Sequence, residues 1–430
     1  MLCCSYLHNC LRGVCMYYAY AFMNLIVYII YAVFLIIGAQ TTQPLFGLLP
    51  LLIFYTAKYT GAFFWYTFST IQTTQLFKWL ILCAVAGSIL GIAAPKYPAV
   101  LNISALLFGL CCSVLLPTYN TILKQKKNAK KRPILWSIIP ACCWLIILLP
   151  ALTTKQFSFA FLWLGLAFFF LLFLPVKIMN DTVPYTKQAL RYTGIAAFIV
   201  LSVTLFIVKF ARTVEWQTFF STIVLLLLFA LTCVTIWYAW RSVCTFPIHL
   251  HLYSYADGLF VAFFFMTTVF EHWVTAGSLY MIYIPYIIGL LLAFALPIKP
   301  SKNLLLLLLL LCNWGLLYAP LLPVVAIGVG FCHTKLSTQL NHTYYDVAAI
   351  TIKDESLLIK NRFYRLGGIS IQLMIVAIIV SITWQRTVDL PQLMHALIPT
   401  TLPILTLLFS GCMTIFVSWL LVKERRLRSE

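Results

Sequence analysis

The sequence predicts an all-α polytopic membrane protein of fourteen transmembrane helices. Three observations predict it: the composition, the continuity of the apolar runs and the placement of the basic residues. Of 430 residues, 63% are hydrophobic and only 9% charged, with a mean hydropathy of +0.99. A soluble domain is nearer half apolar and a quarter charged, and no single water-soluble core at this length buries so much apolar surface. A soluble enzyme, a disordered chain and a disulfide-stapled secreted domain are excluded. An outer-membrane barrel is excluded as well, because its strands alternate apolar and polar residues, whereas this chain has runs such as the leucines from Leu304 to Leu311. A bilayer span needs about 20 apolar residues, and the apolar content supplies some 13 or 14 of them.

In chain order the apolar spans are 15–38, 45–66, 78–95, 98–122, 133–153 and 157–178, then 192–211 and 217–240. A further six follow at 254–274, 278–298, 303–319, 321–340, 366–384 and 397–422. The twelfth is the weakest, since apolar character fades after Cys332, and fusing it with the eleventh would leave thirteen. The positive-inside rule arbitrates. With a cytoplasmic N-terminus, 23 of the 29 Lys and Arg fall inside, among them Lys124, Lys131, Lys302, Lys360, Arg362 and Lys423. Five fall outside (Lys96, Lys155, Lys209, Arg212 and Arg386), and Lys58 lies within the second span. Thirteen helices would put the C-terminal basic cluster outside, so fourteen is the expected count, with both termini cytoplasmic.

The net charge of +19 is therefore a topology signal, not a nucleic-acid footprint. The fourteen cysteines sit mostly inside spans and read as small packing residues. His249 and His251, two apart, do not converge on a helix, and no metal site is expected. No small-residue cleavage site follows the first span, so no cleaved signal peptide is read. The longest loop, about 341 to 365, includes the half-alternating stretch Val347 to Lys360, which reads as a linker or a short element on the membrane surface. No nucleotide-binding signature and no loop large enough for a catalytic domain appear. No cofactor and no catalytic residue are expected.

Three short motifs carry a resemblance. They are Gly109-Leu-Cys-Cys-Ser-Val-Leu-Leu-Pro-Thr-Tyr119 before a basic loop, Trp240-Arg-Ser-Val-Cys-Thr-Phe-Pro-Ile-His-Leu-His-Leu-Tyr253 after the two middle spans, and Arg362-Phe-Tyr-Arg-Leu-Gly-Gly368. With the order of six, two and six spans, they make the chain resemble the 14-helix drug:proton antiporters of the major facilitator superfamily (the EmrB/QacA type). The resemblance implies a major facilitator-like fold. Residues 1–190 would be a six-helix bundle, 191–245 two additional helices, and 246–430 a second six-helix bundle. It implies a secondary transporter at the cell (inner) membrane, exporting a small amphipathic organic compound by alternating access. Its partners would be the lipid bilayer, a small-molecule substrate and protons, with no nucleic acid and a periplasmic adaptor left open. The loop Thr67 to Lys78 lacks the acid and Arg of the family signature, the fourth span lacks its Arg, and 133–164 contains no Gly. Proton-coupled drug antiport depends on those positions; the fold does not. A degenerate non-transporting subunit and a membrane-embedded enzyme on lipid-linked substrates are the alternatives.

Ionisable groups inside lipid are costly and functional by default. Lys58, two-thirds through the second span with Tyr55 and Tyr59 beside it, is the expected substrate-binding cation, against a snorkelling side chain. Glu271, with His272 near the outer end of the ninth span, is a candidate for proton coupling. Asp257 is a second, although at the cytoplasmic start of that span a helix N-terminus favours a carboxylate anyway. Asn313 and Trp314, with Pro320 and Pro323 after them, interrupt the eleventh span and are candidate cavity residues. Reporter fusions after Lys131, Lys302 and Glu430 should all report a cytoplasmic location; an external C-terminal reporter would remove the fourteen-helix count.

Overall fold

The computed structural model describes residues 44–68, 71–95, 97–125, 156–176, 191–210, 217–243, 246–275, 280–349, 355–383 and 390–429, with scattered residues between 19 and 37. Twelve α-helices lie among them: α1 (Pro44–Thr67), α2 (Thr73–Ala93), α3 (Pro98–Gln125), α4 (Phe157–Val176), α5 (Thr193–Phe210) and α6 (Gln217–Val243), then α7 (Ile248–Thr275), α8 (Tyr280–Ala295), α9 (Lys302–Gly315), α10 (Leu322–Val347), α11 (Ser356–Thr383) and α12 (Leu390–Ser429). The fifth expected span lies outside the described residues. Helix is the expected solution, because a backbone in hydrocarbon must satisfy its own polar groups. Four described stretches are both long and apolar enough to cross a bilayer, Thr73–Ala93, Ala99–Lys124, Ala319–Val347 and Pro403–Glu424, beside five shorter apolar helices. The chain is a multi-pass membrane protein.

It divides into two compact units, Met1–Ser202 and Val203–Glu430. In the first, α2 buries Leu76, Leu80, Ile81, Ala84, Gly87, Ser88 and Gly91 on one face, yet its other face is also apolar, with Trp79 and Ile89 exposed. A helix apolar all round is made for lipid. Helix α3 packs on both α1 and α2, and α2 also packs on α4. In the second unit α10 packs on both α8 and α9, and α9 also packs on α12. The same order of contacts thus recurs in the two units, spaced alike along the chain.

Small residues set the tightest contacts, as membrane helices require. Gly109 lies so close to α1 that a Cβ there would sit 2.7 Å from the Phe54 carbonyl and 2.5 Å from the Ala57 Cβ. A Cβ on Gly367 would fall 2.1 Å from the Tyr255 carbonyl, and one on Gly258 would strike the Tyr364 carbonyl. Gly289 and Gly330 do the same for α8 and α10. Two of the motifs behind the family resemblance therefore act as points of backbone contact.

Several helix ends depart from the apolar spans. Helix α7 starts at Ile248 and α11 at Ser356, six and ten residues before the apolar boundary, because polar residues continue a helix where apolar ones no longer report it. The stretch 347–360, expected as a linker or surface element, instead contributes the end of α10 and the first turns of α11, with Lys360 buried. Between α9 and α10, Ser301 caps α9 by accepting from the Leu304 amide at 3.2 Å. Gly315 ends that helix, and a 3-10 turn, Ala319–Leu321, leads into α10. Substituting Gly367 by Val should cost at least about 1–3 kcal/mol through overpacking, read as a lower melting temperature in detergent. Gly411→Ala, with nothing within 4 Å of its added carbon, should leave that temperature unchanged.

Candidate functional site

In unit 1, the face of α1 that meets α3 carries Phe54, Ala57 and Gly61, and the Trp65 indole N–H donates to the Leu110 carbonyl at 2.9 Å. Tyr55, Lys58 and Tyr59, at helical spacing on another face, are half-buried. The two tyrosine rings stack at 4.6 Å, and the Lys58 ammonium lies 5.9 Å from the Tyr59 centroid. One turn on, the Thr60 hydroxyl is 2.8 Å from that of Ser202, joining α1 to α5, where Gly194 abuts Phe63 and Thr67. The structure brings the three expected residues of α1 together as one aromatic-flanked cation.

Unit 2 holds the deeper charge. Asp257 was expected at a helix start. Because α7 begins at Ile248, it is that helix's tenth residue, and it is fully buried. Its Oδ1 lies 2.8 Å from Nδ1 of His333 on α10, whose side chain is 19% exposed. The Asp257 Oδ2 has no hydrogen-bond partner. The His333 ring stacks on Tyr364 of α11 at 5.4 Å, and Arg365 lies 5.5 Å over that tyrosine. The contact between α7 and α11 that Gly258 and Gly367 permit is what sets Tyr364 at this level. A carboxylate without water is tenable only when a proton or a cation holds it, and here an imidazole that can be either base or cation does so.

Around this pair unit 2 is knit by further polar contacts. The Tyr253 hydroxyl bonds Asn303 of α9 and donates to Glu424 of α12 at 2.6 Å. The Lys360 ammonium donates to the Ser337 hydroxyl at 2.6 Å. Asn313 and Trp314 sit in the last turn of α9. Asn313 is fully buried, donating to the Leu309 carbonyl at 2.9 Å and leaving its Oδ1 without a partner. The Trp314 indole donates to Thr414 of α12 at 3.2 Å. Trp314 thus lies where α9 meets α12. The side chains of Glu271 and His272 lie outside the described residues. Among the described residues no group of three or more His, Cys, Asp or Glu side chains is placed to hold a metal ion.

Sequence reasoning missed His333 and Glu424. His333 directly follows Cys332, where hydropathy falls, and a histidine adds nothing to a charge count. The available signal was that any ionisable side chain within a span is a candidate. Glu424 fell just beyond the last apolar boundary, yet α12 continues past it.

No known sequence family matches the chain, and no curated protein does. Solved structures do. One is a POT family transporter in complex with 5-aminolevulinic acid, 14% identical, with a TM-score of 0.54 over 94% of this chain and 97% of that one. Another is a POT family transporter in complex with a thioalcohol-conjugated peptide, 14% identical, with a TM-score of 0.53 over the same shares. A third is the human organic anion transporter MFSD10, 12% identical, with a TM-score of 0.53, again over 94% and 97%. The chain shares the fold of these three structures. At these identities the likeness concerns the fold and does not single out the 14-helix drug antiporter branch.

A double-mutant cycle tests the buried pair. Asp257→Ala or His333→Ala alone should each destabilise by about 3–5 kcal/mol, since each leaves its partner buried and unmatched. The double variant should lose clearly less than the sum, read as melting temperatures in detergent.

Proposed function

We propose that this protein is a proton-coupled secondary transporter of small organic compounds bearing an anionic group. Asp257 is its coupling carboxylate, and Lys58 is its substrate-facing cation. One observation carries the proposal: a fully buried aspartate with one oxygen on His333 and the other unpartnered, in the middle of a helix of a transporter fold. A fold alone does not give a function, but an ion pair inside hydrocarbon has a cost that structure alone does not repay. The pair has two arrangements. One proton shared by the pair leaves either a neutral acid beside a neutral imidazole or a carboxylate held by an imidazolium; its loss leaves a carboxylate beside a neutral imidazole. A change of protonation that alters the contact between α7 and α10 is a suitable input for alternating access.

The substrate class rests on Lys58, which offers a compact cation beside the stacked rings of Tyr55 and Tyr59, suited to a carboxylate on a small amphipathic body. Transporters of the same fold were solved with 5-aminolevulinic acid and with a peptide conjugate, and another is an organic anion transporter, all compatible with an anionic group. We further take 1–190 and 246–430 as the two bundles and 191–245 as an insertion between them in sequence. The repeated contact order supports this division. Direction of transport then follows the proton gradient, and export corresponds to an acidic exterior driving exchange.

Proteoliposomes loaded or unloaded with 5-aminolevulinic acid and dialanine test the proposal. Wild-type protein should accumulate at least one of them under a pH gradient. Asp257→Asn should abolish accumulation while preserving counterflow, and Lys58→Met should raise KM about ten-fold, as expected for one lost charge-assisted contact of about 1.5 kcal/mol. Accumulation by Asp257→Asn equal to wild type would overturn the coupling role. Normal KM in Lys58→Met would make Lys58 a snorkelling residue.

A further inference from the structure

A second titratable group is buried in unit 2 and takes no part in the pair described above. His251 is the fourth residue of α7 and only 2% exposed. Its ring stacks on Phe363 of α11, with centroids 4.0 Å apart. Its Nδ1 lies 2.8 Å from the hydroxyl oxygen of Tyr344 on α10, and that same oxygen accepts from the Ser254 hydroxyl at 3.4 Å. Ser254 and Tyr344 are both fully buried. Residues 251, 254 and 257 recur at steps of three along α7, so a histidine, a serine and an aspartate form one polar ridge. His251 and Ser254 meet α10 at Tyr344, and Asp257 meets it at His333. A clamp between two helices needs one such contact; a continuous ridge of three is more than packing calls for, since each buried polar group has its own desolvation cost.

We infer that this ridge is the proton's route between Asp257 and the membrane side on which α7 begins, with His251 as its outermost member. The inference rests on Asp257 being the coupling carboxylate. The donor senses make a directed chain. Ser254 donates to the Tyr344 oxygen, so the phenol's own proton points to His251 Nδ1, which accepts it. For release, protonated Asp257 gives its proton to the Ser254 oxygen as the Ser254 proton passes to Tyr344. The Tyr344 proton then passes to His251 Nδ1, and the imidazolium so formed gives its Nε2 proton to water. One proton leaves Asp257 and one reaches water, while serine and tyrosine end neutral and His251 ends protonated on Nδ1; rotation of the two hydroxyls and return of the imidazole to its Nε2-protonated tautomer restore the starting order. The step from Asp257 to Ser254 spans one helical turn, about 5–6 Å between Cβ atoms. The Asp257 Oδ2, buried without a hydrogen-bond partner, is the oxygen left to carry the proton for that step.

The other charged groups at this level are engaged elsewhere. On α11, Lys360 bonds Ser337 and the Arg362 guanidinium lies 6.0 Å over Tyr238 of α6. On α12, Glu424 accepts from Tyr253; on α9, Lys302 reaches Thr343 at 3.4 Å. Among the described residues, Tyr344 and Asp257 are the titratable groups in line with His251, with His333 on Asp257 itself and the buried Cys332 of α10 close to that carboxylate.

The test needs no substrate. Reconstituted protein is followed by infrared spectroscopy of the protonated-carboxyl band after a pH jump on the side where α7 begins. Asp257→Asn identifies the band. Tyr344→Phe keeps the ring packed against Phe246, 5.2 Å away, and removes only the hydroxyl. His251→Gln keeps a hydrogen-bonding group but carries no proton, and stands in if the tyrosine variant does not fold. The expected result is a band response slowed about ten-fold or more in each, with the end-point titration unchanged. Unaltered rates in both variants would overturn the relay and leave Asp257 as the coupling group. A spectrum in which Asp257→Asn removes no carboxyl band would overturn both.

Discussion

A carboxylate in a hydrocarbon interior must be matched, and the arrangement of unit 2 follows from matching Asp257. Its partner His333 comes from α10, so α7 and α10 are obliged to meet at that depth. Helix α11 closes on the pair because Gly258, Gly367 and Gly368 let the backbones of α7 and α11 touch. That approach delivers Tyr364 to the face of His333 and Phe363 to the face of His251. With larger residues at those glycines, the imidazoles would lose their aromatic walls and the carboxylate its shelter from lipid. Backbone contact, usually a matter of packing, here fixes the electrostatics.

The first unit meets the same requirement differently. Its described buried polar side chains are serines and threonines, many of which return their hydroxyls to a helix carbonyl, as Ser88 does to Ala84, Thr118 to Val114 and Thr121 to Pro117. Such bonds are satisfied within one helix and make no demand on a neighbour. Ser104 is an exception, donating to Gly87 of α2 at 2.7 Å, where glycine lets α3 come near. Among the described residues of that unit, the cation Lys58 stays half-buried beside tyrosines and is not enclosed.

Much of the fold was legible in the sequence, because an apolar run of bilayer length has few other uses. The spans at 98–122, 157–178, 192–211 and 217–240 lie within a few residues of α3, α4, α5 and α6. Boundaries failed where helices run on into polar sequence, at α7, α10 and α11. Those failures were not neutral: placing the start of α7 six residues late made Asp257 a terminal residue instead of a central one. The glycine motifs were legible as markers of a family likeness, but not as the points where backbones touch, which needs the partner helix. His333 and the ridge through Ser254 and His251 were illegible for a related reason. Each residue is unexceptional alone, and only the apposition of α7 with α10 gives it a counterpart.

The recurring order of helix contacts has a consequence for how such a chain can change over time. Two units built on one plan, each stabilised largely from within, can take up substitutions separately, as two copies of an ancestral half would after duplication. Among the described residues the two units differ in this way: the buried Asp, Glu, Lys, Arg and His side chains lie in the second, while the first has a core of hydroxyls and aromatic rings. Specialisation of one half and conservatism of the other is a natural division when a machine needs a single chemical input and a scaffold to work against.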